Sequence, residues 1–260
     1  MQKISKKKII EKLLPVFINI GKKTINLKKN NLKIYIKDDN TPVTNGDLEV
    51  DRVLQKEIKK LTPSIPIVSE ENSVSITNFK YKSFWLLDPI DGTKEYIAGK
   101  KEYTLNAALI INKKPVLGII YAPRIGRLFF TYEKNKSYEF FKNKKKRLNS
   151  KIYLKRKNVK ALSNSYKPSK TILNIYKKFK VKTFKKCSSS LKFCLIAAGE
   201  YDIYAARPRA KEWDIAAGHI IAENAGAILR TFSGKIINYG KKKFYNPSMI
   251  LIRYKKDLTY

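Results

Sequence analysis

Apolar positions near the start of the chain recur at the three-and-four spacing of an amphipathic helix: Ile9, Ile10, Leu13, Leu14, Phe17 and Ile20 share one face among lysines. The pattern predicts a helix over residues 4–20, with Gly21 as its stop. Residues 32–37 read as a short strand. The polar stretch from Asp38 to Thr44 reads as a loop, because Pro42 lacks the N–H that a regular element would use. A second amphipathic helix starts at Asn45 or Asp47, carries Val50, Val53, Leu54 and Ile58, and ends before Pro63. Two apolar runs then lead straight into acids, residues 66–69 into Glu70 and Glu71, and residues 84–87 into Asp88. Residues 103–111, 115–121 and 128–132, separated by turn signals, predict an antiparallel meander.

Further along, strands at 159–162, 181–184 and 201–205 alternate with helices that open at Pro168, at Ser189 or Ser190, and near Glu212. The last carries Ile215, Ala216, His219, Ile220 and Glu223 at helical intervals, and Gly226 turns the chain toward Ile228 and Leu229. Such alternation is an α/β pattern. The fold class is therefore α/β, with an α+β N-terminal domain over 1–152 and an α/β C-terminal domain over 153–260. The division falls in the lysine-crowded run 134–156, which also suits an exposed hairpin.

Composition adds one unusual feature. Of 260 residues, 43% are apolar, enough for a folded core, but 56 Lys and Arg against 21 Asp and Glu leave a net charge of +35. Such a field attracts nucleic acid, an anionic membrane surface or an anionic metabolite alike, so it names no partner. No apolar run approaches the roughly 20 residues that span a bilayer, and the basic start lacks the apolar core of a secretion signal. Cys187 and Cys194 are too few and too loosely placed for a zinc site and read as buried filler in a reducing compartment. The expectation is a soluble cytoplasmic protein, with peripheral attachment to the cytoplasmic face of the inner membrane admitted by the charge. The sequence sets no oligomeric state.

In so basic a chain the acids are the informative minority. Glu70, Glu71, Asp88, Asp91 and Asp214 stand beside apolar segments at turn-like positions. Two carboxylates about 4 Å apart repel by roughly 4 kcal/mol at an effective dielectric of 20, so such a cluster calls for a cation. Oxygen donors with His219 as the single histidine suit Mg²⁺ better than zinc. In Asp88-Pro-Ile-Asp-Gly-Thr93 a tight turn can direct both carboxylates and the Ile90 carbonyl at one cation cluster. Gly92 relieves crowding there, and Thr93 and Lys94 open a short helix whose free N–H groups suit phosphate. His219, on an Ala-rich helix, is expected to be structural.

The ordered motifs Ser69-Glu-Glu71, Asp88 to Thr93 and Trp213-Asp-Ile-Ala216 resemble the lithium-sensitive, magnesium-dependent phosphomonoesterase superfamily of inositol monophosphatases, fructose bisphosphatases and bisphosphate nucleotidases. Asp39-Asn-Thr-Pro-Val-Thr44, the run from Asp88 to Tyr96, and Ser189-Ser-Leu-Lys-Phe-Cys194 are most similar to the 3'(2'),5'-bisphosphate nucleotidase branch. The resemblance implies an inositol monophosphatase-like layered αβαβα sandwich. It implies two or three Mg²⁺ ions held by Glu70, Asp88, the Ile90 carbonyl, Asp91 and Asp214, and it puts Asp47, Glu70 and Thr93 at the attacking water, with Glu71 behind them. A small phosphorylated nucleotide would meet Glu70, Gly92, Thr93, Lys94, Ser189, Ser190, Lys192, Arg207 and Asp214. The implied reaction is hydrolysis of the 3'-phosphate of adenosine 3',5'-bisphosphate to AMP and phosphate, within sulfur metabolism and without a covalent phosphoenzyme. One departure stands out: Ser163-Asn-Ser-Tyr166 occupies the place of a Ser-Arg-Ser-His-like run. An inositol-1-phosphate monophosphatase with the same metals is the alternative enzyme. A basic nucleic-acid-binding protein using the surface around Lys144 to Arg147 is the remote one, and no recognised nucleic-acid motif supports it.

Overall fold

The first helix, α1 (Lys6–Asn30), opens on Ser5, whose Oγ accepts the Lys8 N–H at 3.3 Å. It runs well past Gly21, contrary to the expected stop. At that position α1 lies directly on Tyr121, where a Cβ would come within 2.4 Å of the ring, so the glycine serves close packing rather than termination. Thr24, one turn on, donates its hydroxyl to the Gly21 carbonyl at 2.8 Å. A two-stranded antiparallel ribbon follows, β1 (Ile34–Ile36) with β2 (Pro42–Thr44). Pro42 thus begins a strand instead of lying in a loop, at the first position of an edge strand, where a missing N–H is tolerated.

Next come α2 (Asn45–Leu61), β3 (Ile67–Ser69), a 3₁₀ turn (Glu70–Ser75), β4 (Phe84–Asp91), α3 (Thr93–Ile97), β5 (Thr104–Ile111), β6 (Lys114–Ala122), β7 (Arg127–Glu133), β8 (Lys136–Phe141) and β9 (Lys144–Arg147). Strands β3 to β9 form one seven-stranded sheet in chain order, β3 parallel to β4 and all later neighbours antiparallel. The expected meander is present, extended by a lysine-rich β8–β9 hairpin. The computed structural model describes residues 4–75, 79–150 and 158–253, and the expected boundary at 152–153 lies outside the described residues.

The remaining elements are β10 (Val159–Ser163), α4 (Lys170–Lys178), β11 (Val181–Lys186), α5 (Leu191–Ala197), β12 (Ile203–Ala206), α6 (Glu212–Asn224), β13 (Ile228–Thr231), a second 3₁₀ turn (Lys242–Phe244) and β14 (Met249–Ile252). Their sheet has the order β11-β10-β12-β14-β13. The first three are parallel, as helical crossovers require, while β14 runs antiparallel to both neighbours. The sequence pattern alone did not reveal β14.

Alternation along the strands shows how the layers stack. On β4, Trp85 and Leu87 join the core beneath α1 and α2, whereas Phe84 and Leu86 face the core built on α5 and α6. On β14, Met249 and Leu251 join the α5–α6 core from the other sheet, and Ile250 and Ile252 face α4 through Ile172 and Tyr176. The order is therefore helices, sheet, helices, sheet, helix. Strands covered on both faces read as unbroken apolar runs, as Phe84-Trp-Leu-Leu87 and Met249-Ile-Leu-Ile252 do. Among the described residues no helix is long and apolar enough to cross a membrane.

The middle helix layer is pressed hard against the larger sheet. A Cβ at Gly118 on β6 would lie 2.7 Å from both the Ala217 carbonyl oxygen and Ile220 Cγ2 of α6. Since α6 also carries Asp214, this contact fixes the height of one candidate ligand above β4. Gly118→Ala is expected to lower stability by about 1–3 kcal/mol through overpacking. The midpoint of urea unfolding, at unchanged m-value, measures the loss, and an unmoved midpoint would show that α6 lifts from β6 without cost.

Candidate active site

The site begins as an irregularity in β4. Residues three apart on a regular strand face opposite ways. Here Asp88 pairs with Asn106 and Asp91 with Thr104, so β4 uses one residue more than β5 over the same stretch. The bulge brings both carboxylates to the face that Thr104 and Asn106 share, toward the α5–α6 layer. Pro89 falls within it, where no ladder N–H is needed.

Other elements deliver the remaining acids to the same place. Glu70 follows the end of β3, and Asp214 sits in the first turn of α6, where its Oδ2 accepts the Lys211 N–H at 2.8 Å. Oxygens of Glu70, Asp88 and Asp214 lie within 4.8 Å of one another. Asp91 stands beside this trio, with Oδ2 accepting the Ser190 N–H at 2.5 Å. Asp88 is 1% exposed, and its Oδ1 is buried without a hydrogen-bond partner. An orphaned buried carboxylate oxygen among other acids, in an all-oxygen set, suits a divalent metal ion.

The electrostatics say the same. Burial, then the charges of Glu70, Asp91 and Asp214, pushes the Asp88 carboxyl well above the usual range. Asp214 is also held well above it by burial, then Asp91 and Glu70. Asp91 is raised by burial but is opposed by Lys192 and by the Ser190 N–H. Glu70 keeps about a third of its side chain accessible (35%), yet burial of its carboxyl, with Glu71, Asp91 and Asp47 nearby, raises it to about 7 against the pull of Lys37. Lys37 is 2.8 Å from Glu71 and 3.7 Å from Glu70. Burial works against its charge, but the hydrogen bond to Glu71 and the charges of Glu70, Glu71 and Asp47 outweigh it, so its pKa is raised.

Asp47 occupies the third position of α2 in a reciprocal cap with Thr44. Its Oδ2 accepts the Thr44 N–H at 2.8 Å and the Thr44 hydroxyl, while Oδ1 accepts the Thr93 hydroxyl at 3.0 Å. Burial raises the Asp47 pKa and these hydrogen bonds oppose the rise. Thr93 reaches Asp47 because Gly92, at φ +95°, turns the chain from β4 into α3 through a conformation that side chains disfavour.

A cleft of about 380 Å³ lies over the acids. Glu70, Asp88, Ile90, Asp91, Gly92, Thr93 and Asp214 form one side of its lining, and Lys94, Lys192 and Arg207 stand in it with Ser189. Of the expected contacts, Ser190 is not in the lining: its Oγ donates to Asn106 Oδ1 at 2.8 Å and contacts Thr104 Oγ1 at 2.8 Å. Asp47 is not in the lining either and is joined to it through the Thr93 hydroxyl. His219 is buried, with Nδ1 2.8 Å from the Tyr239 hydroxyl. Asn164, from the departing segment, donates to the Tyr204 hydroxyl at 2.8 Å and lines the cleft, while Tyr166 is 78% exposed. Sequence reasoning missed Lys37 and Asn106. Nothing separates Lys37 from the other basic residues, but an amide inside the apolar run of β5 was a usable signal.

A bulged strand carrying two acids, a third and fourth delivered by a 3₁₀ turn and a helix start, and a basic wall across a cleft define a metal-assisted phosphate site by their chemistry. The chain belongs to the inositol monophosphatase family, whose profile matches residues 3–257. It is 37% identical over 209 residues to the 3'(2'),5'-bisphosphate nucleotidase CysQ of Buchnera aphidicola subsp. Acyrthosiphon pisum, covering 80% of this chain and 78% of the relative. The protein of that name from Escherichia coli strain K12 is 32% identical over 218 residues, 83% and 87% of the two chains. Among solved structures, CysQ from Bacteroides thetaiotaomicron superposes with a TM-score of 0.77 at 27% identity, covering 96% of this chain and 98% of that one.

The raised carboxyls predict a pH signature for the metal-free protein. Glu70 goes from an ordinary 4.5 when unfolded to about 7 when folded. Between those values the folded form binds more protons, so the Glu70 contribution to stability is present below 4.5 and is lost as pH rises through about 7. With a chelator present, wild-type Tm should fall relative to Glu70→Gln as pH rises across that window, and a divalent ion should reverse the fall. A wild-type Tm that rises relative to the variant would contradict the assignment.

Proposed function

We propose that this protein is a Mg²⁺-dependent phosphatase that hydrolyses the 3'-phosphate of adenosine 3',5'-bisphosphate, giving AMP and phosphate. The observation that carries the reading is the convergence of Glu70, Asp88 and Asp214, with an orphaned Asp88 oxygen, opposite cationic residues in one cleft. The similarity to bisphosphate nucleotidases over four fifths of the chain supports the nucleotide as substrate.

Glu70, Asp88 and Asp214 would hold the metal, with Asp91 and the Ile90 carbonyl completing two or three positions. Bound magnesium supplies neutralisation of phosphoryl charge and a more acidic water. The rest falls to the chain. Thr93 directs its hydroxyl proton to Asp47 Oδ1, which leaves lone pairs on Thr93 Oγ1 to accept a proton from the attacking water and so orient it. Asp47, held at both oxygens by the α2 cap and Thr93, receives the proton through that hydroxyl, with Glu70 as the other acceptor. Gly92 and Thr93 receive the departing phosphate, and Lys94, Lys192, Arg207 and Ser189 receive the remaining phosphate of the nucleotide. Water attacks directly, and no side chain becomes phosphorylated.

The same reading puts the protein in the cytosol, where Cys187 and Cys194, both free and buried, meet no oxidant. Lithium inhibition belongs to it as well.

Phosphate release from adenosine 3',5'-bisphosphate and from inositol-1-phosphate, each titrated with Mg²⁺, tests the reading. A preference for the nucleotide is expected, and a preference for inositol-1-phosphate would overturn the substrate. Asp214→Ala and Asp88→Asn should each lose at least about 100-fold in kcat/KM, and full activity in either removes it from the ligand set. Thr93→Val should lower kcat by about 10²-fold with KM nearly unchanged, and Thr93→Ser should recover most of it. Equal kcat for Thr93→Val and wild type would exclude the Thr93–Asp47 proton path.

A further inference from the structure

The hydrogen bonds around Asp91 run in one direction. Ser190 has a single hydroxyl proton and donates it to Asn106 Oδ1 at 2.8 Å. The 2.8 Å contact between Ser190 Oγ and Thr104 Oγ1 must then carry the Thr104 proton. With its oxygen engaged, Asn106 turns Nδ2 to Asp91, 3.5 Å from Oδ2. The Ser190 N–H donates to that same Oδ2 at 2.5 Å. Two donors therefore converge on one oxygen of Asp91, while Oδ1 accepts no hydrogen bond among the described residues and the residue lines the cleft.

We propose that Ser190 is a positioning residue for the metal centre: its N–H directly, and its hydroxyl through Asn106, hold Asp91 with Oδ2 toward the start of α5 and leave Oδ1 for a cation in the cleft. This rests on the reading of the cleft as a metal site. The hydroxyl works by fixing the Asn106 amide, since an amide turned over would set its oxygen against the carboxylate and remove one of the two donors. Ser190 does not meet the substrate. It is 2% exposed and faces β5, whereas its neighbours Ser189 and Lys192 line the cleft.

The tie spans 99 residues of sequence and joins the loop before α5 to the seven-stranded sheet. Ser188 strengthens the docking: its N–H donates to Glu102 at 3.1 Å and its hydroxyl to Glu95 at 2.8 Å. The orientation of one metal-site acid thus depends on how a loop from the other sheet's half of the chain is seated.

The experiment is calorimetric titration of the full chain with MgCl₂ in the absence of nucleotide, paired with steady-state kinetics on adenosine 3',5'-bisphosphate at saturating Mg²⁺. Ser190→Ala should raise the Kd for Mg²⁺ by about 10- to 100-fold, the range for partners that orient metal-binding side chains. Its KM for the nucleotide should stay within about twofold of wild type. Thr104→Val should move the Mg²⁺ affinity in the same direction by a smaller factor, and Ser190→Thr, which keeps the hydroxyl, should restore it. Thermal unfolding identifies a variant that has merely lost its fold, in which case the Thr104→Val titration decides. Unchanged Mg²⁺ affinity in folded Ser190→Ala overturns the proposal, and a raised KM at unchanged affinity makes Ser190 a substrate contact instead. Wild-type protein without measurable Mg²⁺ binding overturns the metal reading itself, a result distinguishable from either.

Discussion

Three carboxylates share a space less than 5 Å across, and one of their oxygens, Asp88 Oδ1, is buried with nothing to bond. At an effective dielectric of 20 each pair at such distances repels by roughly 3–4 kcal/mol, a large fraction of the net stability of an ordinary domain. The fold must therefore hold Glu70, Asp88 and Asp214 together against their own charge. It does so with rigid elements on every side: a strand packed on both faces, a helix whose first turn is capped by the very acid it presents, and a glycine contact that seats that helix on the sheet. Without an ion, relief comes from protons on the raised carboxyls and from Lys37, whose ammonium lies against Glu71 and near Glu70.

That constraint reorders the meaning of the chain's charge. A net +35 draws any polyanion, but most of the lysines whose side chains are described are solvated. The cations that matter are those placed against the acids. Lys192 is 6% exposed, donates to the Ser189 carbonyl and stands over Tyr204, and it is the strongest opposing influence on the Asp91 carboxyl. A buried lysine beside a raised aspartate is a specific electrostatic device in a way that an exposed run such as Lys144–Arg147 is not. The latter forms the outer strand of the larger sheet, where charged side chains discourage edge-to-edge pairing.

How much of this could be read from the sequence differs from element to element, for physical reasons. The longer strands buried on both faces, such as β4 and β5, were legible because burial leaves mostly apolar residues, and the acids that interrupt them were conspicuous for the same reason; β14, buried the same way but only four residues long, was not. The bulge in β4 was half legible: Pro89 between two aspartates marks a break in the ladder, but the register that puts Asp88 and Asp91 on one face depends on β5. Gly21 misled because a glycine that ends a helix and a glycine that lets a helix touch an aromatic ring look alike in one dimension. Pro42 misled because an edge strand tolerates what a central strand does not. Asp47 looked like a helix-start acid, which it is; only the resemblance, and then the Thr93 hydrogen bond, connects it to chemistry. The resemblance groups Ser190 with Ser189 and Lys192 as substrate contacts, but a one-residue step at a helix start is enough to turn its side chain from the cleft toward Asn106.

The site also belongs to no single layer. Asp88 and Asp91 come from the seven-stranded sheet, Asp47 from the helices on its outer face, Asp214 and the Ser190 N–H from the helices between the sheets, and Asn164 and Arg207 from the ends of strands in the second sheet. No layer could bury its apolar runs without its neighbours, and none alone could assemble a cation site. The mutual repulsion of the acids opposes assembly, whereas an ion shared among them favours it, because it attracts every acid and bonds most strongly when all are close. A metal bound here would thus act on the fold as well as on phosphate, drawing the layers together through the same carboxylates that resist coming together without it.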